Sequence, residues 1–244
     1  MRKKVSEERK ILYIYNHYKF VYFVSGRHMT NPSLQTSHPL DPFQDNLPLI
    51  EKTADPFTLF ETWFQEAQRA ELNDPDAMVL TTATPEGRPS SRVILLKGVD
   101  RRGFVFYTNL ESRKGKELAQ NPHVALLFYW KSLRRQIRIE GDIFPVSVEE
   151  ADAYFASRSR FSRLGAIASD QSRPLSDRAI FEERFHAAEQ RYPSDVVPRP
   201  QHWSGYRVRP EYFEFWQEHP YRLHDRVVWR KNNAELWDVT RLYP

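Results

Sequence analysis

From Ala77 to Phe144 the chain reads as strand after strand with little room between them, and this spacing restricts the possible folds more than any other feature. Strand-like runs at Ala77–Thr82, Ser91–Lys97, Phe104–Thr108, His123–Trp130 and Arg135–Phe144 are broken by Pro85-Glu86-Gly87-Arg88-Pro89, by Asp100–Gly103 and by a loop through Ser132. Connections this short favour antiparallel pairing over a crossover to a parallel neighbour. One short helix, Ser112–Gln120, interrupts the series and is stopped by Asn121-Pro122. Tyr206–Trp216, Val227–Arg230 and Glu235–Thr240 read as three closing strands. Helices are expected over 56–70, Ser147–Ser157 and Ser176–Arg191. In the first, Asp55 caps, Pro56 fits the first position, and Phe57, Phe60, Phe64 and Ala67 recur at helical spacing beside Trp63. In the second, Ser147 caps and Glu149-Glu150 favour the first turn. The pattern predicts a mainly β fold with α, an antiparallel meandering barrel with peripheral helices.

Composition removes several chemistries. There is no cysteine, which excludes a disulfide scaffold, a thiolate nucleophile and Cys-ligated metal sites. Eight glycines supply neither a dinucleotide fingerprint nor a Walker loop. No metal cluster is evident. The formal net charge of +4 is concentrated at one end: residues 1–28 hold seven Lys and Arg against Glu7 and Glu8, which leaves the remainder at −1. A nearly neutral body argues against general nucleic-acid binding. Ile11–Val24 is aromatic and apolar but is broken by Asn16, His17 and Lys19, so it is too short and too polar to span a membrane. Met29 then precedes a polar, Pro-containing stretch to Asn46. We expect residues 1–54 to be a largely disordered extension, with Met29 the natural start and 1–28 upstream sequence. We expect residues 55–244 to be the folded domain of a cytoplasmic protein.

Five clusters carry potential chemistry. Arg222-Leu223-His224-Asp225-Arg226 lies between strand-like segments, and alternation would put Arg222, His224 and Arg226 on one face. Three such groups together read either as an anion site, since the guanidinium fork binds two oxygens at once, or as a solvated edge strand laced by Asp225. Arg92-Val93-Ile94-Leu95-Leu96-Lys97 is an apolar run with a cation at each end. It can bring charge to both rims of a barrel, or be a buried strand with solvated ends. Tyr107-Thr108-Asn109 leads into Ser112-Arg113-Lys114 at a helix start, where cations oppose the helix dipole unless a phosphate reverses the sign. Tyr154 and Arg158 share a helix face, Ser162 lies just beyond in an expected loop, and Gln171-Ser172 follow; phenol, guanidinium and hydroxyl read either as a phosphate set or as a helix end with ordinary caps. Gln136 and Arg138 sit in a strand, suited to a heteroaromatic edge or to the surface. Two phosphate-grade sites with no nucleophile and no metal cluster imply that a bound cofactor supplies the chemistry.

In this order the motifs resemble the pyridoxamine 5′-phosphate oxidase family: RVILLK at 92–97, Tyr107-Thr108-Asn109, Ser112-Arg113-Lys114, Gln136, Tyr154-Phe155 with Arg158, Gln171-Ser172, Glu214-Phe215-Trp216, RLHDR at 222–226 and the ending Arg241-Leu242-Tyr243-Pro244. The likeness runs from about residue 55 to the end. It implies an FMN-binding split β-barrel acting as a homodimer, with FMN at the subunit interface. The implied reaction oxidises pyridoxamine 5′-phosphate and pyridoxine 5′-phosphate to pyridoxal 5′-phosphate, with O2 as acceptor and hydrogen peroxide as product. By matching position, FMN would meet Arg92, Val93, Ile94, Leu95, Leu96, Lys97, Tyr107, Thr108, Arg113, Lys114, Gln136, Gln171, Ser172, Trp216 and Arg226. Substrate would meet Lys97, Tyr154, Arg158, Ser162, Arg222, Leu223 and His224, with Arg222 and His224 the catalytic pair.

Three positions depart from the family pattern. Phe161 stands where a glycine is usual, and is expected to resist positive φ and crowd the phosphate loop. Ile167 stands where a tryptophan is usual, and Glu218-His219-Pro220-Tyr221 replaces a Gly-rich turn. A phenazine-type substrate on the same flavin barrel is one alternative, which Tyr154, Arg158 and Ser162 oppose. A non-catalytic carrier of flavin or pyridoxal phosphate is another, which Arg222 and His224 oppose.

Overall fold

The computed structural model describes residues 47–53 and 55–244. The expectations for residues 1–28, for Met29 and for the stretch to Asn46 lie outside the described residues. Helix α1 (Pro56–Ala70) starts at the foreseen cap, where the Asp55 carboxylate accepts from the N–H groups of Phe57 and Thr58. Its apolar stripe is buried, with Phe60 and Ala67 wholly so. The Phe60 ring meets Phe104 and Phe128 edge-on at 4.8 and 5.3 Å, contacts worth about 0.5–1.5 kcal/mol each beyond the area they bury.

Nine strands follow among the described residues: β1 (Ala77–Ala83), β2 (Pro89–Leu95), β3 (Gly98–Asp100), β4 (Gly103–Asn109), β5 (His123–Trp130), β6 (Arg135–Pro145), β7 (Trp203–Gln217), β8 (Asp225–Lys231) and β9 (Trp237–Leu242). All pairings are antiparallel, in the order β2-β1-β5-β6-β7-β4-β3, with β8 on β7 and β9 on β8. The long β7 decides the shape. One of its edges pairs with β6, while the other pairs first with β4 (Trp203–Val208) and then with β8 (Tyr212–Gln217). The sheet therefore divides at β7 and curls into a half-barrel with helices outside. Where it divides, Glu140 faces Tyr212 but Gly141 faces Pro210, so Glu211 is an extra residue. Pro210 has no N–H to lose at such a bulge. Gly141 is required there, because a Cβ would lie 2.0 Å from the Arg209 carbonyl oxygen.

Helices α2 (Arg113–Gln120), α3 (Val148–Ser157) and α5 (Arg178–Arg191) match expectation to within two residues. Helix α4 (Arg160–Ala168) was not foreseen. Strand β2 ends at Leu95, two residues short of the predicted Lys97. The Leu96 N–H donates to Asp76 and the Lys97 N–H to Val105, so the chain there leaves β1 for β4. The Asp100–Gly103 turn is the tip of the β3–β4 hairpin. Glu235, predicted to open the last strand, sits at φ 59 in the preceding turn.

Strand alternation gives the sheet two faces. Met78, Leu80, Leu126, Phe128, Ile137, Ile139, Phe213 and Phe215 fill the core under α1. On the opposite face, Val93, Val79, Leu127, Arg138, Glu214 and Val228 form one row across six strands. Tyr129, Gln136, Trp216 and Arg226 form the next row.

Candidate active site

A cleft of about 1030 Å³ lies between β2, the end of β4, and helices α2, α3 and α4. Of the residues matched to the flavin, Arg92, Val93, Ile94, Leu95, Lys97, Tyr107, Thr108, Arg113, Lys114, Gln171 and Ser172 line it. Of those matched to substrate, Lys97, Tyr154, Arg158 and Ser162 do so. Leu96 does not: its side chain is 5% exposed and belongs to the core.

The cleft has two cationic ends. At the first, Ser112 caps α2 by accepting from the Gly115 N–H at 3.2 Å, and Arg113 and Lys114 occupy the first turn as read from sequence. Lys114 Nζ donates to Gln171 Oε1 at 3.0 Å. Burial, then the charge of Arg92, lower the Lys114 pKa. Arg92 reaches in from β2, donating to Thr82 Oγ1 at 2.7 Å and Ser90 Oγ at 2.5 Å. A half-buried lysine, its pKa lowered by burial and by a neighbouring guanidinium, suits an anion at a helix N-terminus.

At the second end, Tyr154 and Arg158 close α3, and Ser159 caps α4 with its Oγ 2.8 Å from Ser162 Oγ. Ser162 is thus in the first turn of a helix, a correction to the expected loop. The cap chemistry of Ser159 was the signal for that helix; Tyr154, Arg158 and Ser162 had been read as a phosphate set or as the capped end of the preceding helix, with no new helix beginning there. The Arg158 guanidinium lies 4.9 Å over Trp203 and 5.6 Å over Phe155, and forms no ion pair among the described residues. Its Nη1 is buried without a hydrogen-bond partner. Burial lowers its pKa, so the cation is held at a cost that an anionic ligand would offset. Tyr107 stacks on Tyr154 and Trp203 at 4.0 and 5.3 Å, and burial pushes its hydroxyl pKa up to about 12.

Gln136, Trp216, Arg222, Leu223, His224 and Arg226 lie apart from this cleft, around the β7–β8 connection. The predicted stacking of Arg222, His224 and Arg226 along one strand is wrong. Strand β8 starts only at Asp225, and Pro220–Arg222 form a 3-10 turn with Tyr221 and Arg222 at φ 55 and 65. An antiparallel reversal between β7 and β8 needs that turn, so alternation cannot run through it. Nor does Asp225 lace a solvated strand: it is buried, accepting from the Ile50 N–H at 2.7 Å and from Arg241 at 2.8 Å. The His224 ring sits 4.6 Å from Trp216, and its Nδ1 accepts from the His219 N–H at 3.3 Å, which places the neutral ring's proton on Nε2. Burial lowers the His224 pKa; Glu218 opposes this, and Arg222 and His219 add to it. Arg226 is held by the buried Glu214 at 2.8 Å. Arg138 is taken up by Glu214 and Glu140, which favours the surface reading of that residue.

The departures are milder than expected. Phe161 lies in α4 without positive φ, 65% exposed, with its ring 6.2 Å from Phe185. Ile167 packs on the Phe155–Trp203 cluster. In place of the Gly-rich turn, two side-chain-bearing residues adopt the left-handed conformation. Sequence reasoning missed Trp203, which had no motif around it, and Glu117, whose spacing of four from Arg113 was a usable signal.

Residues 64–192 match the family model described as pyridoxamine 5′-phosphate oxidase, and residues 203–244 match that of the pyridoxine 5′-phosphate oxidase C-terminal dimerisation region. The chain belongs to the pyridoxamine 5′-phosphate oxidase family. It is an oxidase by that membership. The pyridoxine/pyridoxamine 5′-phosphate oxidase of Gluconobacter oxydans is 67% identical over 82% of this chain and 99% of its own length. That of Granulibacter bethesdensis is 58% identical over 78% and 91%. Among solved structures, PhzG from Burkholderia lata, in complex with tetrahydrophenazine-1-carboxylic acid, aligns with TM-score 0.75 at 34% identity, covering 80% of this chain and 95% of that one. An FMN-binding protein from Nostoc punctiforme shares the fold with TM-score 0.63 at 17% identity, covering 79% and 100%. Among the described residues no helix is long and apolar enough to cross a membrane.

Proposed function

We propose that this chain is an FMN-dependent oxidase of pyridoxamine 5′-phosphate and pyridoxine 5′-phosphate, forming pyridoxal 5′-phosphate in a cytoplasmic vitamin B6 pathway. The alcohol would consume O2 and release hydrogen peroxide; the amine would also consume water and release ammonia. The observation that carries the reading is one cleft with a cationic cluster at each end, one of them lined by Arg158, whose Nη1 is buried without a hydrogen-bond partner. Its volume, about 1030 Å³, is at the upper limit of ordinary ligand pockets, about 300–1,000 Å³.

The donor set fits FMN. Arg92, Arg113, Lys114, Gln171 and Ser172 would hold its phosphate end, and Val93, Ile94 and Leu95 its body. FMN, when bound, supplies a hydride acceptor for the substrate C4′ carbon and passes the electrons to O2. Tyr154, Arg158, Ser162 and Lys97 would hold the substrate phosphate, and binding energy spent on that remote group orients the reacting carbon. Arg222 would position the substrate ring. His224, kept neutral near pH 7 and carrying its proton on Nε2, would accept or return a proton at Nδ1 once the His219 contact opens.

The reading includes a homodimer built from the 55–244 domain, with 1–54 an extension. Supporting it, Gln136, Trp216 and Arg226 share the sheet face opposite the core, on which Val93, Leu95 and Tyr129 are 65, 39 and 54% exposed. A second copy covering that face would bring this set to the cleft of its partner.

The likeness to PhzG favours a second reading, a phenazine-type substrate. An aerobic assay of the purified protein with FMN separates them: either B6 phosphate should yield pyridoxal 5′-phosphate and peroxide. Arg222→Ala should lower turnover while flavin stays bound. Bound flavin with no turnover of either phosphate would refute the assignment.

A further inference from the structure

Glu117 is a buried carboxylate, 6% exposed, at the root of the α2 end of the cleft, and it is not among the residues matched to either ligand. It gathers donors from three elements. Thr82 of β1 and Ser90 of β2 donate to Oε2, the latter at 2.7 Å. Arg92 Nη2 reaches Oε2 at 3.3 Å, and Arg113 Nε reaches Oε1 at 2.9 Å. Each guanidinium is thereby gripped on one side. Arg113 keeps both Nη groups clear of this contact, and Arg92 is fixed by Thr82, Ser90 and Glu117 together. The carboxylate thus orients two forks that come from different elements. It also offsets part of the repulsion among Arg92, Arg113 and Lys114 while no anion is bound.

We infer that Glu117 is a positioning residue for the flavin phosphate: by aligning Arg92 and Arg113 it sets the preference of this chain for a phosphorylated flavin over the unphosphorylated one. The inference rests on the FMN reading given above. A carboxylate beside a phosphate site opposes the anion through space, so a purely electrostatic role would have the opposite sign from an orienting one. A purely structural role, fastening α2 to the β1–β2 hairpin, would weaken FMN and riboflavin alike.

The test is a titration of apo wild-type protein and Glu117→Gln with FMN and with riboflavin, followed by flavin fluorescence. Wild type should prefer FMN. In Glu117→Gln that preference should fall roughly tenfold or more, the equivalent of one weakened charge-assisted hydrogen bond, with riboflavin affinity nearly unchanged. Glu117→Asp should recover part of it. Should Glu117→Gln not fold, Thr82→Val removes one donor to the same carboxylate and should lower the preference by a smaller factor. An unchanged or increased preference would overturn the role of Glu117 while leaving the cofactor reading intact. No preference for FMN in wild type would instead overturn the cofactor reading.

Discussion

Replacing Arg158 by Met keeps most of the side-chain length and removes the charge, and the structure predicts little change in stability but a large loss of binding. The guanidinium rests on Trp203 and Phe155, and its Nη1 is buried without a partner. Losing a largely desolvated cation–π contact costs up to about 2 kcal/mol. Removing an unsatisfied buried donor returns about 1–3 kcal/mol. Met also packs well on aromatic faces. The two sides nearly cancel, so urea denaturation of the ligand-free protein should shift by no more than ~1 kcal/mol in either direction. Binding has no such compensation. A charge-assisted hydrogen bond to phosphate is worth about 1.5–3 kcal/mol, so KM for a phosphorylated substrate should rise roughly 10- to 150-fold. Retained flavin should be unchanged, since the flavin phosphate is assigned to the other end of the cleft. Steady-state kinetics and denaturation on the same preparation make the comparison. A stability loss above ~3 kcal/mol with an unchanged KM would refute the reasoning and make Arg158 a structural residue.

Two further outcomes follow from the same geometry. Burial opposes ionisation of Glu117, but hydrogen bonds from Ser90, Thr82 and Arg113 outweigh it and hold the pKa at about 2. A carboxyl depressed from its ordinary value contributes stability that is complete above pH ~4.5 and disappears as pH falls towards 2, here ~3 kcal/mol; urea unfolding between pH 6 and pH 3 should show less acid sensitivity in Glu117→Gln than in wild type, and equal slopes would contradict this. Tyr221 is 57% exposed at φ 55, so Tyr221→Gly relieves about 1–2 kcal/mol of left-handed strain against about 0.5–1 kcal/mol of glycine entropy; a thermal melt should show a small gain, and a loss would mean that the tyrosine ring makes a contact worth more than the strain.

Sequence reasoning worked wherever a local rule acts alone. Asp55 and Ser147 cap the helices they were expected to cap, because a cap is satisfied by N–H groups two or three residues away. His123–Trp130 was bounded correctly, since alternation and flanking breakers are local signals. The α2 end of the cleft was legible for the same reason: cations in a first helical turn are a visible conflict that a phosphate resolves. The reading failed where a distant partner sets the backbone. Arg222–Arg226 looks extended in isolation, but β8 must reverse against β7, and the reversal consumes Pro220–Arg222. Ser162 was placed in a loop beyond a helix end, when Ser159 and Ser162 begin a further helix.

The sequence by itself determined the antiparallel class, the helix starts, the absence of thiol chemistry and the residue types of the cationic clusters at the two ends of the cleft. These depend on turn length, side-chain period and dipole sign, all of which act over a few residues. Only the tertiary structure decided that β7 divides the sheet between β4 and β8, that Leu96 belongs to the core, and that Glu117 joins three elements. It also decided that the matched ligand residues fall into two separate groups in one chain. Those facts depend on strand order and on contacts between segments far apart in the chain, whose free energy comes from burial shared among many residues and is invisible to any short window.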